Sequence, residues 1–254
     1  MEIKVTKTGL EAIRDLRVLF LQEGNFQFTY DKCHLYGWAD TWLFFIDGEK
    51  AGYGAVWGSE KREDRNSIFE FYIIEPFRKS ANIIFEKFCI ESGATLIECQ
   101  SNDRLLCSML YEYAPNINAE AVLFEDDFQP NLSILDVTFG RETSADITGP
   151  DAGGYYLKIH GKIVATGGFM LNYNWPYADI YMEVKEPFRR KGLGSLLIQE
   201  LKKEIYRMDR VPAARCNVDN KASKATLLKA GFKVCGARLK GGIKLPLQAS
   251  AIEG

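Results

Sequence analysis

A short run of residues occurs twice in this chain. The first copy reads EPFRKSANII over residues 75–84, and the second reads EPFRRKGLGSLL over residues 186–197, an offset of 111. A second pair of matching runs, around Gly48 and Gly161, lies 113 residues apart in the same order. Two matches at nearly the same offset indicate a duplicated domain, because a period this long is not that of a solenoid of small repeats.

The composition bounds the class of protein. The 254 residues are enough for two domains of about 125 residues each. A net charge of −2 provides no field that would attract nucleic acid or an anionic membrane. No apolar run approaches the ~20 residues that span a bilayer, and the N-terminus lacks the apolar core of a signal peptide. We therefore expect a cytoplasmic protein with no nucleic-acid or membrane partner.

The cysteines and histidines favour neither a disulfide framework nor a metal site. The six cysteines contain no C-x-x-C pair, so we expect reduced, mostly buried thiols. The adjacent pair Cys33-His34 lacks the further ligands of a zinc site, and we expect no metal. No serine or cysteine in a nucleophile turn accompanies either histidine, which argues against a His-based triad.

Each copy predicts the same order of elements: a hairpin, a strand, the Glu-Pro-Phe-Arg turn, an amphipathic helix, a strand and a second helix. This order predicts an α/β fold of the α+β mixed-sheet kind, in which each of two tandem domains has a central mixed β-sheet flanked by helices. The polar segment 125–131 is the best candidate for the boundary. We expect a degenerate domain over residues 1–128 and a catalytic domain over residues 129–254.

The second copy carries a glycine turn that opens a helix, with the spacing Arg189-x-x-Gly192-x-Gly194. Glycines let the backbone pass close to an anion, and the helix N-terminus behind them presents free N–H groups and a partial positive charge. Together they predict a site for a diphosphate. A dinucleotide fold would have a third glycine where Leu197 stands, and the Gly-Lys-Ser/Thr of a P-loop is missing.

The pattern instead resembles the acetyl-CoA signature of the GCN5-related N-acetyltransferase (GNAT) superfamily, Arg/Gln-x-x-Gly-x-Gly/Ala after a strand. A second run, from Asn217 to Ser223 and on to Gly231-Phe232, resembles the same family's strand, Asn-x-x-Ala/Ser helix start and terminal Gly-Phe. Asn220 also suits the helix cap on physical grounds. The resemblance covers roughly residues 155–235, and extends to the first half through the repeat.

The resemblance implies that acetyl-CoA is the co-substrate and that specific residues bind it. Backbone N–H groups of the turn would hold the pyrophosphate, and β-strand backbone would pair with the pantetheine amides and face the thioester oxygen. Asn220 would approach the pantetheine end, and Lys221 or Lys224 would reach outer phosphates. The implied cofactor-binding residues are Met182, Val184, Arg189, Arg190, Lys191, Gly192, Leu193, Gly194, Ser195, Asn217, Asn220 and Ser223.

The catalytic residues are less well defined by the pattern. The family usually has a tyrosine general acid where this chain has Leu227, so that role has no matching residue. A thiol has a reference pKa near 8.5 and leaves with little help, and water, Tyr181 or Cys216 are the candidates for its proton donor. Asp179, Tyr181 and Glu183 alternate onto one side of their strand. A carboxylate there is a reasonable general base, with Glu183 the first choice and Asp179 the second.

The first copy departs from the motif at both glycines, where Ala81 and Ile83 stand. Ile83 is β-branched and would resist a positive φ and crowd a phosphate. We therefore expect no ordinary acetyl-CoA binding there, and a role in the substrate pocket or the domain interface instead.

The expected activity is direct acetyl transfer, in a ternary complex, to a primary amine of a small molecule or peptide, by a monomer or homodimer. Two alternatives remain open: a transferase for another acyl-CoA or an acyl carrier, and a non-catalytic acyl-CoA sensor or interaction module.

Overall fold

The computed structural model describes residues 1–27, 31–142 and 151–245, which contain twelve strands and six helices. The strands are β1 (Ile3–Thr8), β2 (Ala39–Ile46), β3 (Glu49–Trp57), β4 (Ser67–Ile73), β5 (Leu96–Gln100), β6 (Ile117–Asp126), β7 (Val137–Arg141), β8 (Asp151–Ile159), β9 (Lys162–Met170), β10 (Tyr177–Val184), β11 (Val211–Asn217) and β12 (Phe232–Gly242). The helices are α1 (Leu10–Gln22), α2 (Asp31–Leu35), α3 (Ala81–Ser92), α4 (Arg104–Tyr113), α5 (Leu193–Arg207) and α6 (Lys221–Lys229).

The chain divides into two compact units that are discontinuous in sequence. Most of unit 1 is Met1–Asn25 and Cys33–Asn118, and most of unit 2 is Ala119–Arg238. Unit 1 also takes the chain from Leu239, because the backbone N–H groups just after β12 donate to carbonyls of unit 1. Of the described residues before β2, unit 2 also takes Phe26, Gln27 and the first two residues of α2, Asp31 and Lys32. The units therefore do not coincide with the contiguous halves 1–128 and 129–254.

Unit 1 has the strand order β1-β2-β3-β4-β5. β4 is antiparallel to β3 and parallel to β5, so the sheet is mixed. Helix α3 packs an aromatic cluster against it, in which Phe88 contacts both Phe44 and Phe71. The 3₁₀ turn Glu75–Ser80 joins β4 to α3.

Unit 2 has the strand order β6-β11-β10-β9-β8-β7. β10 is antiparallel to β9 along most of its length, but is parallel to β11 only where Tyr177–Asp179 faces Val211–Ala213. Beyond Asp179 the two strands separate. Helix α5 covers one face of this sheet, and its leucines form the core with inward residues of β10, Ala178 and Ile180.

Candidate functional site

The glycine turn follows the end of β10. A 3₁₀ turn, Glu186–Phe188, leads to Gly192, which caps the N-terminus of α5 with a left-handed φ of 80°. Arg190 also has a positive φ, of 63°. Arg189 fixes the turn to the strand, since its Nε donates to the Val184 carbonyl over 2.9 Å. The turn therefore holds the first N–H groups of α5 at a fixed place beside the end of β10.

The two glycines of the turn are needed for different reasons. Gly192 has a backbone conformation that side chains rarely adopt. Gly194 is helical, but a Cβ there would lie 2.9 Å from Thr226 Cγ2 and 3.2 Å from Met182 Cε. Its small size therefore permits close packing of α5 against α6 and β10.

A cavity of about 1240 Å³ opens at this turn. Its lining includes every residue predicted to bind the cofactor except Asn217, whose Oδ1 accepts a hydrogen bond from the Asp219 N–H. Asn220 lines the cavity and caps α6, accepting from the Ser223 N–H over 2.9 Å. Those lining residues are Met182, Val184, Arg189, Arg190, Lys191, Gly192, Leu193, Gly194, Ser195, Asn220 and Ser223.

The cavity suits an anionic ligand with a diphosphate. Five cationic residues line it, against two carboxylates, Glu183 and Glu186. They are Arg189, Arg190, Lys191, Lys221 and Lys229. The α5 N-terminus adds N–H groups and a partial positive charge. These donors fit a diphosphate such as that of coenzyme A.

Lys229 is a lining residue that the sequence analysis missed. Its Nζ lies 3.6 Å from the position that a Cβ of Gly192 would occupy. The residue belongs to the last turn of α6, and a motif search centred on the glycines cannot associate it with them. Lys224, which the sequence also suggested for outer phosphates, is not among the residues that line the cavity.

The corresponding turn of unit 1 has the same hydrogen bond from an arginine to the preceding strand, but it lacks the left-handed backbone conformation. Arg78 Nε donates to the Ile73 carbonyl over 3.0 Å, as Arg189 does to Val184. Between residues 75 and 84, all of which the structure describes, no residue has a positive φ. The 3₁₀ turn therefore runs straight into α3.

The outer face of β10, opposite α5, carries the three residues predicted to be catalytic. Tyr181 and Glu183 are exposed, whereas Asp179 is only 3% exposed. The Tyr181 hydroxyl donates to Asp151 Oδ1 over 2.6 Å. Burial and this bond raise the pKa of Tyr181, so its hydroxyl is a poor proton donor.

Asp179 is held by partners on neighbouring strands and loops. Its Oδ2 lies 3.2 Å from Arg215 Nη2, which also donates to the Tyr173 hydroxyl over 2.6 Å. Burial raises the pKa of Asp179 to about 6, against the opposing effects of Arg215, Lys32 and a hydrogen bond with Tyr173. Oδ1 is buried and accepts no hydrogen bond. A carboxylate with a raised pKa and an unused acceptor atom is equipped to take a proton.

The remaining sequence candidates lie in the core. Leu227, at the family's tyrosine position, is buried against α5, and burial raises the pKa of Cys216. Across the described residues, the structure contains no group of three or more metal-ligating side chains. No helix in this part of the chain is long and apolar enough to cross a membrane.

The mixed sheet with its flanking helices defines an α/β protein, and the cation-lined cavity at the α5 N-terminus is its candidate site for an anionic ligand. Residues 118–232 match the model of the "Acetyltransferase (GNAT) family", and this segment is a GNAT-family domain. No curated protein sequence matches the chain.

Solved structures resemble the fold over nearly the whole chain. An acetyltransferase from the GNAT family of Colwellia psychrerythraea superposes with a TM-score of 0.71 at 14% identity, covering 96% of this chain and 100% of that one. A tandem GNAT protein from the clavulanic acid biosynthesis pathway gives 0.60 at 10% identity, with 96% and 100% covered. A GCN5-related N-acetyltransferase from Sphaerobacter thermophilus gives 0.53 at 13% identity, with 82% of each chain covered. The predicted tandem GNAT fold is confirmed.

Proposed function

We propose that this protein transfers an acetyl group from acetyl-CoA to a primary amine of a small molecule or peptide, and that unit 2 performs the reaction. The observation that carries the proposal is the cavity at the α5 N-terminus, which joins the glycine turn to the end of β10. Unit 1, with no left-handed turn between residues 75 and 84, is the degenerate copy.

The residues of the cavity divide the binding task. The N–H groups of the turn and the Lys229 ammonium bind the diphosphate. The edge of β10 beyond Asp179, which β11 no longer pairs with, offers backbone groups to the pantetheine amides. Acetyl-CoA supplies the activated acetyl thioester. N–H groups of this edge stabilise negative charge on the thioester oxygen during attack.

We take Asp179 as the general base in preference to Glu183 because of its raised pKa and its Oδ1, which accepts no hydrogen bond, although Glu183 lines the cavity and Asp179 does not. Its raised pKa leaves it ionised at neutral pH and still basic enough to accept a proton from the substrate ammonium, directly or through one water, and the neutral amine then attacks. Arg215 pairs with Oδ2 of Asp179 and donates to the Tyr173 hydroxyl, whereas the buried Oδ1 accepts no hydrogen bond. The amine nitrogen forms a bond to the acetyl carbon, the carbon–sulfur bond breaks, and water carries the proton that the nitrogen loses to the departing thiolate.

The test has two arms. Acetyl-CoA should raise the melting temperature, because a ligand that binds only the native state stabilises it. An amine panel with acetyl-CoA should then release free thiol. If acetyl-CoA gives no shift, the proposed cofactor is wrong. If it binds and no amine releases thiol, the non-catalytic sensor is favoured. If butyryl-CoA reacts faster than acetyl-CoA, the enzyme is a transferase for a longer acyl group.

A further inference from the structure

Tyr181 has an unusual setting on the outer face of β10. It pairs with Gly168 of β9, and its hydroxyl reaches Asp151 at the start of β8. The side chain therefore crosses β9 to reach β8. It lies two residues along the same face from Asp179, at the point where β10 has parted from β11.

Two glycines make room for this side chain. A Cβ at Gly168 would lie 2.6 Å from the Tyr181 hydroxyl oxygen, and a Cβ at Gly153 would lie 2.8 Å from it. Any larger residue at either position would therefore collide with the hydroxyl. Because the hydroxyl sits this close to the backbone of two strands, the ring lies along the sheet with one side facing outward.

Charged groups fix the ring in this position. Asp151 Oδ1 accepts a hydrogen bond from the Tyr181 hydroxyl, and Arg141 Nε donates to the carbonyl of Gly153, next to that hydroxyl, over 3.0 Å. The tyrosine is 38% exposed despite these contacts. An aromatic side chain held in one orientation with a free side is preorganised to bind a ligand, since little conformational entropy is left to lose.

We propose that the outward side of the Tyr181 ring is a wall of the acceptor subsite, and that the acceptor is a primary amine with a flat apolar group close to its nitrogen. This inference rests on the proposed transfer reaction. The position beside Asp179 supports it, because an amine that delivers a proton to Asp179 brings its carbon skeleton over the neighbouring residues of the same face. Loss of one such contact between aromatic rings changes affinity by about twofold to tenfold.

Steady-state kinetics with 2-phenylethylamine test the proposal. Tyr181→Ala should raise the KM for this amine about fivefold to tenfold and leave the KM for acetyl-CoA within about twofold, the range expected for loss of one ring contact. Tyr181→Phe keeps the ring and should stay within about threefold of the wild type. Tyr156→Ala is the matched control, since Tyr156 also lies over a glycine, Gly140, but on β8 against β7.

The proposal is wrong if Tyr181→Ala leaves the KM for 2-phenylethylamine unchanged. It is also wrong if glycine and spermidine are better acceptors than 2-phenylethylamine and Tyr181→Ala leaves their KM values unchanged. A binding measurement separates this outcome from failure of the transfer reaction itself. Saturation-transfer NMR with CoA present should show transfer to the phenyl protons of 2-phenylethylamine from the wild-type protein, and weaker transfer from Tyr181→Ala at the same amine concentration. Absence of that signal in the wild type overturns the assignment of Tyr181 to the acceptor subsite, whether or not turnover occurs.

Discussion

Corresponding strands of the two units each bury a carboxylate, but the two carboxylates are bonded differently. Glu70 on β4 is fully buried, and both of its oxygens are used: Oε1 by Arg17, and Oε2 by Tyr53 and His34. Burial alone would raise the pKa of Glu70, but Arg17 and His34 outweigh it and hold the pKa at about 2. Asp179 on β10 keeps a free Oδ1 and a pKa of about 6.

We propose that this difference separates a structural charge, Glu70, from a reactive one, Asp179. A buried carboxylate whose lone pairs are all satisfied has no capacity for a ligand, and it locks the elements around it. One with an unused oxygen and a raised pKa stores free energy that a proton or a ligand can release. The turns that follow these two strands differ in the same way. The turn of unit 2 has a left-handed residue, Gly192, and the turn of unit 1 has none between residues 75 and 84.

The largest expected effect concerns the turns. Gly192→Ile should abolish the stabilisation by acetyl-CoA, because isoleucine at a φ of 80° is strained and its side chain enters the cavity. Ala81→Gly, at the matching position of unit 1, should leave the acetyl-CoA shift intact. Melting curves with and without acetyl-CoA measure both, with each variant's ligand-free curve as its own baseline. Loss of the shift in Ala81→Gly would place the cofactor in unit 1 and reverse the assignment.

The second prediction compares the carboxylates in stability. Glu70→Gln should lower the free energy of unfolding by about 3–5 kcal/mol, because it leaves Arg17 buried without its counter-charge. Asp179→Asn should cost less than about 1 kcal/mol at neutral pH, since ionising a carboxyl with a raised pKa is itself unfavourable to folding. Urea unfolding midpoints report both changes.

The pH dependence of folding stability should have opposite signs for Glu70 and Asp179. The folded pKa of Glu70 lies below its unfolded value of about 4.3, so its contribution is present above that pH and is lost as pH falls toward 2. The folded pKa of Asp179 lies above about 3.9, so stability is lost as pH rises from 4 to 6. Glu70→Gln should remove only the loss of stability as pH falls toward 2, and Asp179→Asn should remove only the loss between pH 4 and 6. An Asp179→Asn variant that loses as much stability as Glu70→Gln would make both clusters structural.

The motif residues and the order of elements followed from the sequence, because a glycine turn and a helix cap are local signals. Residues 193–207 and 221–229 are helices, as the leucine spacing and Asn220 predicted. Local signals cannot pair distant residues. Lys229 reaches Gly192, Asp151 reaches Tyr181 and Arg215 reaches Asp179 only through the packing of separate elements. The place of the chain after Leu239 in unit 1 is equally non-local.

The third prediction tests Asp179 as the base. Asp179→Asn should lower kcat about 100-fold, within the range for loss of a general base, with the KM for acetyl-CoA unchanged. In the wild type, kcat should rise with pH through about 6 as the carboxylate ionises, and the variant should lack this limb. Glu183→Gln is the comparison, since Glu183 is the rival carboxylate on the same face. A larger loss in Glu183→Gln, with the limb near pH 6 retained in Asp179→Asn, would return the role to Glu183.

The smallest expected effect concerns Lys229. Lys229→Met keeps the length of the side chain and removes its charge, so acetyl-CoA should bind about tenfold more weakly, the equivalent of one charge-assisted hydrogen bond. The salt dependence of binding should also weaken, because one cation fewer faces the diphosphate. Lys203→Met is the matched control, since Lys203 on α5 pairs with Glu200 and is not among the residues that line the cavity. Titration calorimetry at two salt concentrations measures both effects, and equal losses in the two variants would show that Lys229 acts only through the general field of the unit.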